Sequence, residues 1–105
     1  MRIASFFSGA GGLDLGFTNA GFELAFANDN WKGCWETFEK NHSLKVEKKS
    51  ISRINPDKIP DVVGFIGGPP CQSWSLAGNM KGINDPRGKV FYDYVRLIKE
   101  KEPLF

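Results

Sequence analysis

Ile3-Ala4-Ser5-Phe6-Phe7 reads as a short buried strand, and it runs without a break into the glycine turn Ser8-Gly9-Ala10-Gly11-Gly12. From Leu13 to Ala20 apolar residues recur at helical spacing, and Gly21 supplies a stop. This succession of strand, glycine turn and helix constrains the fold more than any other stretch, because it is the order in which nucleotide-binding α/β folds begin. Glycines allow a ligand to approach the backbone closely, and a helix N-terminus offers unpaired N–H groups to a negative group. Asp14 stands where the dinucleotide fingerprint GxGxxG has its third glycine, which counts against NAD or FAD. A glycine turn alone is as consistent with a plain turn as with a cofactor site.

Phe22-Glu23-Leu24-Ala25-Phe26-Ala27 is the second strand by content and ends at Asn28-Asp29-Asn30. Asp29 lies about 20 residues beyond Gly9, the spacing at which an acidic residue reaches ribose hydroxyls. Its other reading is a cap for the helix predicted over Trp31 to Lys40, but the glycine turn upstream favours the ribose contact. That helix places Trp31, Cys34 or Trp35, and Phe38 on one face, which makes Cys34 a core residue. His42, the single histidine, sits where a helix ends and reads as a cap or surface residue rather than a catalyst.

Leu44 to Ile51 alternates weakly and suggests a short third strand, and Ser52 to Pro60 is a polar connection with room for one helical turn. Asp61-Val62-Val63-Gly64-Phe65-Ile66 is apolar enough for a strand covered on both faces. It leads into Gly67-Gly68-Pro69-Pro70-Cys71-Gln72-Ser73-Trp74-Ser75, where glycines let the backbone pack closely and prolines bar a helix. Cys71 is thereby expected at the carboxyl end of a strand, the position where open α/β sheets bind ligands. A free cysteine is more often a small buried hydrophobe, so the surroundings must argue for reactivity.

Leu76 to Gly88 is long and irregular, with Asp85-Pro86-Arg87-Gly88 as a turn, and reads as a lid or binding loop. Lys81, Arg87 and Lys89 suit phosphate contacts, or simply solvent. Val90 to Lys101 is an amphipathic helix, Pro103 stops it, and Leu104-Phe105 looks like the start of another strand. The alternating order predicts an α/β fold, a doubly wound and mostly parallel sheet of Rossmann-like type.

With 105 residues the chain fits one small domain. A hydrophobic share of 41% against 25% charged residues excludes a disordered chain, and a net charge of +2 permits a nucleic-acid partner without arguing for one. Cys34 and Cys71 form no CxxC or Cys/His spacing, so no metal site and no disulfide framework is expected. A reducing cytoplasm suits such thiols, and no stretch has the length or apolarity of an export signal or a membrane span.

Two separated blocks carry a family resemblance. Phe7-Ser8-Gly9-Ala10-Gly11-Gly12-Leu13-Asp14 resembles the first S-adenosylmethionine motif of the cytosine-C5 DNA methyltransferases, and Gly68-Pro69-Pro70-Cys71-Gln72-Ser73-Trp74-Ser75 resembles their catalytic Pro-Cys-Gln motif. Gly82 to Gly88 is similar to the family's mobile active-site loop, and the bacterial restriction-modification methylases are the nearest in character. The resemblance implies that Cys71 attacks C6 of a cytosine flipped out of double-stranded DNA. It assigns Phe7, Gly9, Gly11, Asp29, Pro70 and Val90 to the S-adenosyl-L-methionine pocket, and Gln72, Ser73, Ser75 and Arg87 to DNA.

Asn30 stands where the family often has an aromatic over the adenine, and Ser50 where an Asp usually receives its amino group. The family's Glu-Asn-Val and Gln-x-Arg-x-Arg motifs and its target-recognition domain do not occur in residues 1–105. The expectation is therefore the N-terminal part of the catalytic, cofactor-binding domain of a restriction-site methylase, associated in function with a restriction endonuclease and inactive alone. The alternative is a non-catalytic remnant, or one subunit of a split methylase that needs a complementary half. A dinucleotide-dependent oxidoreductase rests only on the glycine turn and Asp29, and leaves Cys71 unexplained.

Overall fold

The computed structural model describes residues 1–70 and 86–105, apart from the side chains of Pro86 and Arg87. Its elements run β1 (Arg2–Phe6), α1 (Gly12–Asn19), β2 (Glu23–Asn28), α2 (Lys32–Asn41), two single 3-10 turns (Ile51–Arg53 and Pro56–Lys58), β3 (Gly64–Gly67) and α3 (Pro86–Lys101). The three strands form one sheet in the order β2-β1-β3, and both pairings are parallel. Residues of β1 alternate between the faces, as strand geometry requires. Ala4 and Phe6 join Phe26, Phe65, Tyr94, Leu97 and the isoleucines of the 3-10 turns in one cluster, while Ala27 packs with Phe38 and Val46 in another. Covering elements on both faces of a parallel sheet make the doubly wound architecture that the alternating order predicts.

Phe6 is the centre of the larger cluster. Its ring lies 5.6 Å from Phe26, 4.8 Å from Phe65 and 5.4 Å from Tyr94, so β1, β2, β3 and α3 meet on one side chain. Gly67 lets β3 close on β1: a Cβ there would come within 2.7 Å of the Phe6 carbonyl oxygen. On the outer edge of β3, Leu104 N–H donates to Val63 O and Phe65 N–H to Phe105 O, both at 2.8 Å, which is the strand-like start expected for this pair.

Four expectations change. Leu44–Ile51 does not form a strand but a single parallel bridge, Asn28 to Glu47, because side chains take its backbone partners. The Asn28 amide donates to the carbonyls of Glu47 and Lys49, at 2.7 and 2.9 Å, and Glu39 accepts the Val46 N–H at 2.9 Å. The turn expected at 85–88 gives way to helix from Pro86 onward, since a proline in the first helical turn forfeits no intrahelical hydrogen bond. Trp31 leaves the α2 core face and is 68% exposed. Its N–H is held by the Asp29 carboxylate at 2.7 Å, which keeps residue 31 extended and starts the helix at Lys32. Finally, α1 buries Asp14 while Leu13 and Leu15 remain 51% and 49% exposed, because the glycine turn, not the apolar spacing, sets the phase of this two-turn helix.

Candidate cofactor site

Phe7 leaves β1 with φ of +54°, a conformation that a bulky residue rarely adopts, and Gly9 and Gly11 follow at +57° and +89°. The turn is pinned at each end: Ser8 N–H donates to Asn28 O and Gly11 N–H to Ser8 O. Strained backbone of this kind persists where its surroundings over-determine it, commonly at a ligand site. Here the Phe7 ring packs edge-on against Tyr94 at 5.5 Å, and Tyr94 is buried enough for its phenol pKa to be raised.

Asp29 does more than cap. Its Oδ2 accepts the Gly9 N–H at 2.9 Å and its Oδ1 the Trp31 N–H, while Trp35 Nε1 donates to its carbonyl at 2.8 Å. The glycine turn, the end of β2 and the start of α2 are thus tied to one carboxylate. His42 closes the other side, with Nε2 3.1 Å from Gly11 O and its ring stacked on Phe38 at 4.5 Å. It is a brace, in keeping with the capping role expected for it.

At the carboxyl ends of all three strands lies a cavity of about 140 Å³ lined by Phe7, Asn28, Asn30, Ser50, Ile51, Pro70 and Val90. The strand order reverses between β1 and β3, so this crevice sits at the topological switch point where open α/β sheets bind ligands. A larger cleft of about 460 Å³, containing Glu23, Leu24 and His42, opens at the amino end of β2 and lacks that placement. The smaller cavity suits one end of an elongated ligand whose remainder follows the glycine turn.

Three of the expected cofactor residues, Phe7, Pro70 and Val90, line this cavity together, while Gly9 and Gly11 lie in the adjoining turn and Asp29 is hydrogen-bonded to it. Asn30 and Ser50 line it too. Asn28, Ile51 and Trp35 were not singled out from sequence. Asn28 is only 2% exposed and ties the segment carrying Ser50 to β2; its one signal was a polar residue closing an apolar strand. Cys71, Gln72, Ser73 and Ser75 lie outside the described residues, as does most of the expected lid, and nothing is described of the Arg87 side chain. Cys34 is no rival nucleophile: burial, and then Asp29, raise its pKa. Among the described residues no cluster of metal ligands occurs, and no helix is long and apolar enough to cross a membrane.

Asp14 lies beneath the turn with its carboxyl pKa raised, by burial above all, against smaller opposing effects of the Ser5 hydroxyl and His42. The native state therefore holds this proton more tightly than the unfolded chain. Asp14's contribution to stability is full below its ordinary value near 3.8 and declines as pH rises through the raised native value. In the complete protein, Asp14→Asn is expected to remove that part of the slope in urea midpoints measured across acidic pH; an unchanged slope would show that Asp14 titrates normally.

A parallel sheet wound on both faces, with a glycine turn after its first strand and a cavity at its switch point, defines a Rossmann-like α/β domain. Within that class the chain belongs to the C-5 cytosine-specific DNA methylase family, whose model matches residues 1–105. It is 75% identical to the type II methyltransferase M.MthTI of Methanothermobacter thermautotrophicus and 58% identical to M.FnuDI of Fusobacterium nucleatum, in each case over 100% of this chain. It spans 32% and 30% of the length of those relatives. Among solved structures, a DNA modification methyltransferase encoded within an E. coli prophage superposes with a TM-score of 0.83 at 28% identity, covering 99% of this chain and 30% of that one.

Proposed function

We propose that this chain is the N-terminal catalytic and cofactor-binding portion of an enzyme that methylates C5 of cytosine in double-stranded DNA, with S-adenosylmethionine as donor. The observation that carries the reading is the meeting of Phe7, Pro70 and Val90 in one cavity beside the Gly9–Asp29 tie, in a chain of this family whose next residue after Pro70 is Cys71. The pocket fits the cofactor in kind: an apolar slot with neutral hydrogen-bonding groups for a base, and beside it a carboxylate for a ribose. When bound, the cofactor supplies an electrophilic methyl group on a sulfonium sulfur.

Cys71 is the nucleophile. Its thiolate adds to C6 of the flipped base and displaces the C5–C6 electron pair onto C5, which becomes the methyl acceptor. Once C5 has taken the methyl group, loss of its proton to solvent restores the C5–C6 double bond and expels the thiolate. Gln72, Ser73 and Ser75 serve the base pocket or its phosphates, and Arg87 contacts the DNA. The type II names of the relatives support protection of a restriction site, with an endonuclease as functional counterpart; the cytoplasm as the place of action rests on the unpaired thiols of the sequence.

The test is incubation of the complete protein with S-adenosylmethionine and unmethylated duplex DNA, followed by mass spectrometry of the nucleosides. 5-Methylcytosine is expected. Methyl groups on cytosine N4 or adenine N6, or none despite bound cofactor, would overturn the reading. Ser50 offers a finer check, since a carboxylate accepts a hydrogen bond more strongly than a hydroxyl. Ser50→Asp is expected to tighten cofactor binding about three- to tenfold by calorimetry. Unchanged affinity would remove residue 50 from contact with the adenine.

A further inference from the structure

The side chain that α1 turns inward is a carboxylate. Asp14 is fully buried; its Oδ1 accepts a hydrogen bond from Ser5 Oγ at 2.9 Å, and Oδ2 has no partner among the described residues. Ser5 Oγ also lies 2.9 Å from Ser8 Oγ. A hydroxyl carries one proton. The Ser5 proton goes to Asp14, so the contact between the serines is made by the proton of Ser8. Ser8 is then an acceptor only toward any further partner, at the position immediately before Gly9.

Resting on the cofactor reading above, we propose that Asp14 is a positioning residue for the cationic methionine end of S-adenosylmethionine: it orients the Ser5–Ser8 hydroxyl pair so that Ser8 Oγ offers lone pairs, and no proton, to the glycine turn. A hydroxyl proton directed there opposes the sulfonium and ammonium groups, whereas lone pairs attract them. Asp14 touches no ligand itself and acts through two serines.

The complete protein, titrated by calorimetry with S-adenosylmethionine and with methylthioadenosine, tests the idea. The second ligand carries the same adenosine and lacks the sulfonium charge and the whole amino-acid end, its ammonium and carboxylate included. Ser8→Ala, Ser5→Ala and Asp14→Leu are each expected to weaken S-adenosylmethionine about three- to tenfold while methylthioadenosine stays within about twofold. Asp14→Asn, which keeps an acceptor toward Ser5, is expected to retain the original ratio of affinities. Equal losses for both ligands, or no loss in Ser8→Ala and Ser5→Ala, would overturn the proposal. The two serine variants decide the matter even where Asp14→Leu does not fold. An unmutated protein that binds neither ligand refutes the cofactor reading itself, a result distinct from selective binding that the serines do not affect.

Discussion

Cys71→Ser in the complete protein is expected to lower methyl transfer by ~10⁴-fold or more while leaving cofactor affinity within about twofold. Serine is nearly isosteric, but its hydroxyl is almost wholly protonated at neutral pH and adds poorly to an electron-poor ring carbon, whereas a thiolate adds readily and leaves again. The substitution leaves the described lining of the cavity, Phe7, Asn28, Asn30, Ser50, Ile51, Pro70 and Val90, with its own side chains, so binding and chemistry are expected to separate in this variant. Incorporation of labelled methyl into duplex DNA, measured beside calorimetric cofactor binding, gives both quantities. Sustained turnover in the serine variant would take the nucleophile's role away from Cys71; parallel loss of turnover and cofactor affinity would indicate a collapsed pocket instead.

Gly11→Ala has the next largest expected effect, and it falls on stability. Gly11 has φ of +89°, and a Cβ there would stand 2.5 Å from His42 Nε2 and 2.8 Å from Phe38 Cδ2. The first condition disfavours any L side chain and the second demands that a stacked pair move. Together they are expected to destabilise the fold by about 2–4 kcal/mol. Urea unfolding of the complete protein measures this. Adding His42→Ala removes one of the two obstructions and is expected to recover part of the loss, by the logic of a double-mutant cycle. A Gly11→Ala protein as stable as its parent would mean that the turn relaxes freely, and that its left-handed geometry is not enforced by α2.

The strands and the order of their connections were legible because buried parallel strands are continuous apolar runs and glycine turns interrupt them visibly. Around residues 44–51 the chain departs from its alternating pattern for an identifiable cause. Alternation predicts which way side chains point, but says nothing of the Asn28 amide and the Glu39 carboxylate that take backbone groups a ladder needs. The start of α2 was misplaced for a similar reason, a side-chain acceptor at Asp29 claiming the Trp31 N–H. At α1, two leucines and a buried aspartate exchange their customary places, which no hydrophobic periodicity foretells. Much of the candidate cofactor site was visible as residue types at meaningful spacing, above all Gly9 with Asp29. Asn28 was not, since a polar residue at a strand's end ordinarily announces the exit to solvent.

The double grip on Asp29 has a thermodynamic corollary. A carboxylate presents about four acceptor positions, and the Gly9 and Trp31 amides fill one on each oxygen. Because both amides belong to backbone already fixed by the fold, the rotamer of this side chain is frozen before any ligand arrives, and the entropy of immobilising it has been spent in folding. In the cofactor reading proposed above, a ribose at Asp29 meets a carboxylate already held, and its hydroxyls gain their hydrogen bonds with about 0.5–1.5 kcal/mol less ordering penalty than a mobile carboxylate would impose.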